Sequence, residues 1–323
     1  MSSNKRAHGI PRIRRALLAL GATALVASGL APARAASFDP PWSKPMVTGE
    51  VFTVPGVDNL PDIHGDLNRP DLVVFFAGNQ YMLVNELLAA FRKAHPEFGR
   101  VLAETLPPGV LARQIARGGL VVGNARITLK PDVFTAGRGR IRALARKGWF
   151  TATRDYAGNR LAILTRKGNP LGIRGWRDLA RPGVRLCMPN PETEGIAAHA
   201  IIPALTAAGG QALKRAIYET KVRDGETFLT RIHHRQTPLR LMRGQCDAGA
   251  VWFTEAWFHS RMTDHGLGMV EIPRKENHVM TYSAGIMKDA PHPAAARAFL
   301  DFLAGPEGQA IYRRHGFLPA AGS

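Results

Sequence analysis

In the stretch "IHHRQTPLRLMRGQCDAGAVW", residues 232–252, two adjacent histidines, His233 and His234, precede Arg235, Gln236 and Thr237, and Pro238 opens an apolar run at helical spacing. Metal binding, catalysis and anion binding are the chemistries to weigh. Zinc usually takes three or four ligands, and neighbouring residues of a strand face opposite sides, so the two histidines do not easily grip one metal. An arginine at a helix start is a better match: its planar five-donor guanidinium lies beside free backbone N–H groups, and proline is tolerated at the first helical position. The stretch reads as a helix-start anion receptor centred on Arg235 and Gln236, with His234 able to add a pH-sensitive donor.

Other segments carry the same logic. "AGNQY" offers Gly78 for close backbone approach and Asn79 and Gln80 as amide donors, although Asn79 could simply cap its helix. "ETLPPG" offers Thr105 and the N–H of Gly109, and "TAGRGR" offers Thr135 with Arg138. "NPETEG" places Thr193, Glu194 and Gly195 at a helix mouth, where the carboxylates of Glu192 and Glu194 are expected to turn to solvent and complement the positive helix start. "VWFTEAWF" adds Trp252, Thr254 and Glu255, an aromatic wall and a hydroxyl that could equally be core. The chain has no G-x-S-x-G elbow, no Walker A loop, no His-Glu-x-x-His and no G-x-G-x-x-G after a strand, so no catalytic residue is assigned. No recognised metal-ligand spacing occurs, and no metal or cofactor is expected; Asp58, Asp62, His64 and Asp66 read as a solvated turn-rich segment.

The elements that must position these turns alternate. "DLVVFFAG" is a continuous apolar run typical of a strand buried on both faces, and "NQYMLVNELLAAFRKAHP" follows with helical spacing and a stop at Pro96. "RVLAETL", "PDVFTAG", "NRLAILTRKGNP", "VRLCMPN", "ETFLTRIHH", "DAGAVWF" and "MTYSAGIMK" read as further strands. "PPGVLARQIARG", "RGRIRALARKG", "TEGIAAHAIIPALTAAGG" and "PLRLMRGQ" read as helices between them, and "HPAAARAFLDFLAGPEGQAIYRRHGF" as a helix broken at Gly305-Pro306. This α/β rhythm predicts parallel sheets, in two doubly wound lobes whose chain crosses between them twice. The expected boundaries are lobe 1 at 69–160 and 279–323, lobe 2 at 161–278, and an extended arm at 36–68.

Residues 1–35 carry six basic residues and no acid, an apolar run from Ala16 and a small-x-small site, Ala33-Arg34-Ala35. They read as an export signal, by the general secretory or the twin-arginine route, and the rest of the chain as soluble and periplasmic. Without them 37 basic residues face 25 acidic ones, about +12, which fits an anionic partner. Export and the lack of a basic stripe interleaved with aromatics argue against nucleic acid. Cys187 and Cys246 are read as two buried free thiols rather than a disulfide, and their spacing excludes a Cys-x-x-Cys zinc site.

From Asp71 to Pro319 the chain resembles the periplasmic solute-binding proteins of ABC importers, and most closely the molybdate-binding type. The markers are "KGNPLGIRGWRDLARPGVRLCMPNPETEG" (167–195), "PDVFTAG" (131–137), "GQCDAGAVWFTEA" (244–256) and the final helical stretch (292–317). The resemblance implies a type II periplasmic binding protein fold, with two lobes on a two-strand hinge closing on a small anionic solute held by uncharged donors. It also implies a monomer that delivers its cargo to a membrane permease. The chain departs from the molybdate pattern: Gly78-Asn79-Gln80 stands where a small hydroxyl residue is usual, Pro107-Pro108-Gly109 replaces Ser-Ser-Gly, and the His-His-Arg-Gln-Thr-Pro segment is foreign to it. Each lost donor to a buried oxyanion costs roughly 1–3 kcal/mol, enough to change the ligand. The expected ligand is a molybdate- or tungstate-like oxyanion. The alternatives are a receptor for a metal ion or complex, using His233 or His234 with Glu104 or Glu255, and a secreted hydrolase or isomerase on the same scaffold.

Overall fold

The computed structural model describes residues 62–122, 125–230 and 236–320. Thirteen strands occur among them: β1 Asp62–Gly65, β2 Leu72–Ala77, β3 Val101–Leu106, β4 Leu120–Val122, β5 Ala125–Ile127, β6 Val133–Gly137, β7 Phe150–Asn159, β8 Leu161–Arg166, β9 Leu186–Met188, β10 Thr227–Leu229, β11 Ala248–Trp252, β12 Leu267–Glu271 and β13 Met280–Met287. The principal helices are α1 Tyr81–Ala94, α2 Pro108–Arg117, α3 Arg138–Ala145, α4 Ile202–Arg215, α5 Gln236–Met242, α6 Phe253–Arg261, α7 Pro293–Ala304 and α8 Pro306–Arg314.

The strands form two main sheets, in the orders β1-β3-β2-β6-β13-β7 and β10-β9-β11-β8-β12, with β4-β5 as a separate hairpin. Alternation along each central strand supplies two core faces, because successive side chains point to opposite sides. In β2, Leu72, Val74 and Phe76 pack into one apolar cluster with α1 and α7, while Val73 and Phe75 join another with Val110 and Leu111 of α2. In β8, Leu161 and Ile163 face the cluster holding Trp176, and Ala162 and Leu164 face the one holding Leu241 and Phe253. Helices therefore cover both faces of both sheets, as the unbroken apolar strand runs require.

The sheets are mixed rather than purely parallel. β2, β3 and β6 are parallel, as are β9, β10 and β11, but β1, β13, β7, β8 and β12 pair antiparallel with their neighbours. The antiparallel members include the strands at the crossings. The chain leaves the first sheet at Asn159 and enters the second at Leu161, and it returns between Glu271 and Met280. Asn277 braces the two crossings: its Oδ1 accepts from the Leu161 N–H at 2.8 Å and its Nδ2 donates to the Leu161 carbonyl at 2.9 Å.

The cysteines correct the free-thiol expectation: Cys187 and Cys246 form a disulfide with Cα atoms 5.9 Å apart, closing a sequence separation of 59 residues. The cause is topological. Cys187 lies in β9 and Cys246 just ahead of β11, and these strands are neighbours in register at Ala248 and Leu186. Beside them Gly249 lets α5 settle on the sheet, since a Cβ there would lie 2.2 Å from the Cys187 carbonyl oxygen and 2.5 Å from Cγ2 of Thr237. No helix of the described residues is long and apolar enough to cross a membrane.

Candidate functional site

A cleft of about 870 Å³ opens where the carboxyl ends of the parallel strands of both sheets meet the crossings. Loops at these ends gather around ligands in open α/β sheets, because helix N-termini aim N–H groups outward there. Three turns of the first sheet line it: Gly78 and Asn79 after β2, Pro107–Gly109 after β3, and Gly137–Arg140 after β6. The second sheet contributes Thr193–Ile196 after β9 and Trp252 at the end of β11, and residues 278–282 of the return crossing complete the wall.

The floor is a network of neutral donors and acceptors. Asn79 Nδ2 donates to the Tyr282 hydroxyl at 2.6 Å, and behind the floor, outside the lining, Asn159 Nδ2 donates to the Thr254 hydroxyl at 3.0 Å. Burial raises the Tyr282 phenol well above its ordinary range, so it stays a hydroxyl. Trp252 packs edge-on to Tyr282, with centroids 6.2 Å apart.

Charge is concentrated on the first-sheet side. Arg113 of α2 and Arg138 and Arg140 of α3 line the cleft together with Lys147, and Glu194 is the acid among the lining residues. Arg113 and Arg140 converge on the start of α2: a Cβ on Gly109 would meet Nη1 of Arg113 at 3.7 Å and Nη2 of Arg140 at 3.8 Å. Burial, reinforced by the neighbouring charge of Arg113, lowers the Arg140 guanidinium below its ordinary pKa. Arg140 remains open to solvent at the cleft mouth, so this is a local electrostatic strain rather than neutralisation of the group. Arg138 pairs with Asp155 at 3.3 Å.

Glu194 does not turn to solvent as expected. Its carboxylate is buried, accepting from the Thr230 hydroxyl and from the Asn190 N–H at 3.2 Å, while Glu192 is exposed. The turn is thereby locked with Thr193 and Gly195 at the cleft surface. Opposite, His199 and His278 both line the cleft. Burial and the charge of His199 lower the His278 pKa. His199 sits in a π-helical turn, Ala197–Ile201, just where Pro203 has no N–H to return to the carbonyl four residues back.

Among the residues singled out in the sequence, the fold brings Gly78, Asn79, Gly109, Arg138, Thr193, Glu194 and Trp252 to this one cleft. Gln80, Thr105, Gln236 and Thr254 are fully buried and outside its lining. Gln80 is held inside, donating to the Tyr156 hydroxyl at 2.7 Å and accepting from the Tyr312 hydroxyl at 2.8 Å. His233, His234 and Arg235 lie outside the described residues. Glu104 and Glu255, named for the metal alternative, are buried away from the cleft lining. Among the described residues no group of three or more His, Cys, Asp or Glu could hold a metal ion. Arg113, Arg140, Lys147, His199 and His278 were not legible as site residues. One signal was available: Arg140, Ala143, Leu144 and Lys147 recur at i, i+3, i+4 and i+7, and all four line the cleft.

The model of the bacterial extracellular solute-binding protein family matches residues 72–318, most of the chain. The chain belongs to that family. Among bacterial solute-binding proteins it is similar to a sulfate-binding protein of Synechococcus elongatus, 29% identical over 170 residues covering 50% of this chain and 47% of that one. It is also similar to the molybdate-binding protein ModA of Mycobacterium tuberculosis, 24% identical over 188 residues covering 58% and 65%. The chain thus spans less than two thirds of the length of either relative. The periplasmic molybdate-binding protein of Azotobacter vinelandii superposes with a TM-score of 0.62 at 19% identity, covering 77% of this chain and all of that one, which establishes the type II periplasmic binding protein fold.

Proposed function

We propose that this solute-binding protein captures a small oxyanion, of the sulfate, molybdate or tungstate kind, between two lobes and delivers it to the permease of an ABC importer. In this reading lobe 1 comprises 69–160 and 279–323 and lobe 2 comprises 161–278. Residues 1–35 direct export to the periplasm, and the protein acts as a monomer that binds its cargo without turning it over. The observation that carries the reading is the convergence of Arg113 and Arg140 on Gly109 at the start of α2, in a cleft whose acid, Glu194, is already engaged by Thr230 and Asn190. Two guanidinium groups held together have an unfavourable mutual energy that an anion between them reverses, and the Gly109 N–H, the one donor left in a helix start whose Pro107 and Pro108 have none, adds to the attraction. In this reading Gly78, Asn79 and Thr193, which line the cleft, complete the shell with neutral donors. The sulfate- and molybdate-binding relatives support an oxyanion as cargo.

Titration calorimetry of the purified protein with sulfate, molybdate and tungstate tests this. Saturable 1:1 binding is expected, and Arg140→Gln should weaken it by about ten- to a hundredfold, the value of a charge-assisted hydrogen bond. Binding of none of the three, or undiminished binding in Arg140→Gln, would overturn the proposal.

A further inference from the structure

A bare tetrahedral oxyanion uses only the corner of the cleft between Gly109, Arg113 and Arg140. The cleft continues well beyond it, to about 870 Å³ before the lobes close, room enough for an organic molecule. Part of the continuation, between Lys147 and the two histidines, is apolar. On one side, Ala143 and Leu144 lie on the same helical stripe as Arg140; on the other, Ile196, Trp252 and Val279 line the cleft. Val279 is 51% exposed, an apolar side chain left facing this space by the return crossing. An inorganic ion has nothing to set against these side chains, so they would gain nothing from its binding. A ligand with a hydrocarbon body would remove Leu144 and Val279, the exposed part of this wall, from water, against the already buried Ile196 and Trp252.

Resting on the oxyanion reading above, we propose that the cargo is an organic oxyanion: a phosphate or sulfate monoester whose head sits on Arg113 and Arg140 and whose apolar body lies along Leu144, Val279 and Trp252. Only non-covalent contacts are involved, and the ester is bound intact.

Matched pairs of probes separate the two levels. The purified full chain is titrated calorimetrically with inorganic phosphate and phenyl phosphate, and with inorganic sulfate and phenyl sulfate. In each pair the ester should bind about tenfold or more tightly, from burial of one ring against the apolar wall. Val279→Ser, at an exposed position, should reduce the ester-to-inorganic affinity ratio. Equal or tighter binding of the inorganic partners overturns the organic cargo and leaves the oxyanion reading standing. An ester preference that Val279→Ser leaves intact overturns the assigned wall. Binding of none of the four probes overturns this inference, and removes the oxyanion reading with it when molybdate and tungstate also fail to bind.

Discussion

Glu104 offers a quantitative test of how the charged helix α2 is anchored. Its carboxyl lies in β3, 2% exposed, and accepts a hydrogen bond from Gln114 Nε2 at 2.8 Å. Gln114 is on the core face of α2, the helix whose outer face carries Gly109 and Arg113. Glu104 Oε1 and Gln114 Oε1 are buried acceptors with no donor among the described residues, so a negative charge there is poorly solvated. Burial outweighs the Gln114 hydrogen bond and pushes the Glu104 pKa from its ordinary 4.5 to about 7. The folded protein therefore binds one proton more than the unfolded chain between those values. Stability from this group is full below pH 4.5, falls as pH rises, and is lost above about 7, by about 3 kcal/mol in all. Glu104→Gln keeps the shape and removes the titration. Urea unfolding from pH 4.5 to 8.5 should show the parent losing stability relative to the variant across pH 5–7, the variant being the more stable at pH 8 by up to that amount. Parallel pH profiles for the two proteins would refute the reasoning, because a solvated or paired carboxylate would give no difference.

Three further predictions follow from the same structure. Replacing Cys187 and Cys246 by serine should cost up to about 4 kcal/mol, from the entropy of a loop of this length in the unfolded chain; denaturation with and without reductant checks it, since the variant should lose the reductant dependence of the parent. Asn277→Ala removes two hydrogen bonds to Leu161 at the crossings, at 2.8 and 2.9 Å, and should lower stability by about 1–3 kcal/mol in urea titration. Gly249→Ala forces a methyl against the Cys187 carbonyl and Thr237, which should cost about 1–3 kcal/mol and raise hydrogen exchange at the start of α5.

Much of the fold was legible because its central strands are buried on both faces. The runs in β2, β3, β6 and β11 are apolar enough to be unmistakable, and the strand-to-helix turns between them pointed to Gly78, Asn79, Gly109 and Thr193. β7 is not legible as a strand: "FTATRDYAGN" is half exposed over its first six residues, so its apolar signal is diluted by Arg154 and Asp155. The disulfide is not legible in the sequence because pairing depends on β9 and β11 being neighbours, which sequence spacing does not encode. The charged half of the site escaped for a different reason. Arg113 and Lys147 lie beyond the strand-to-helix turns, and in "TAGRGR" nothing in the sequence favours Arg140 over Arg138; only the folded chain shows two guanidinium groups meeting over Gly109.

The most direct test of the anion site is diffraction from crystals grown with tungstate, whose anomalous signal locates the ion without ambiguity. The geometry predicts a tungsten peak placed so that the tungstate oxygens accept hydrogen bonds from the Gly109 N–H and from the Arg113 and Arg140 guanidinium groups. A peak elsewhere in the molecule, with that corner of the cleft empty, would contradict it.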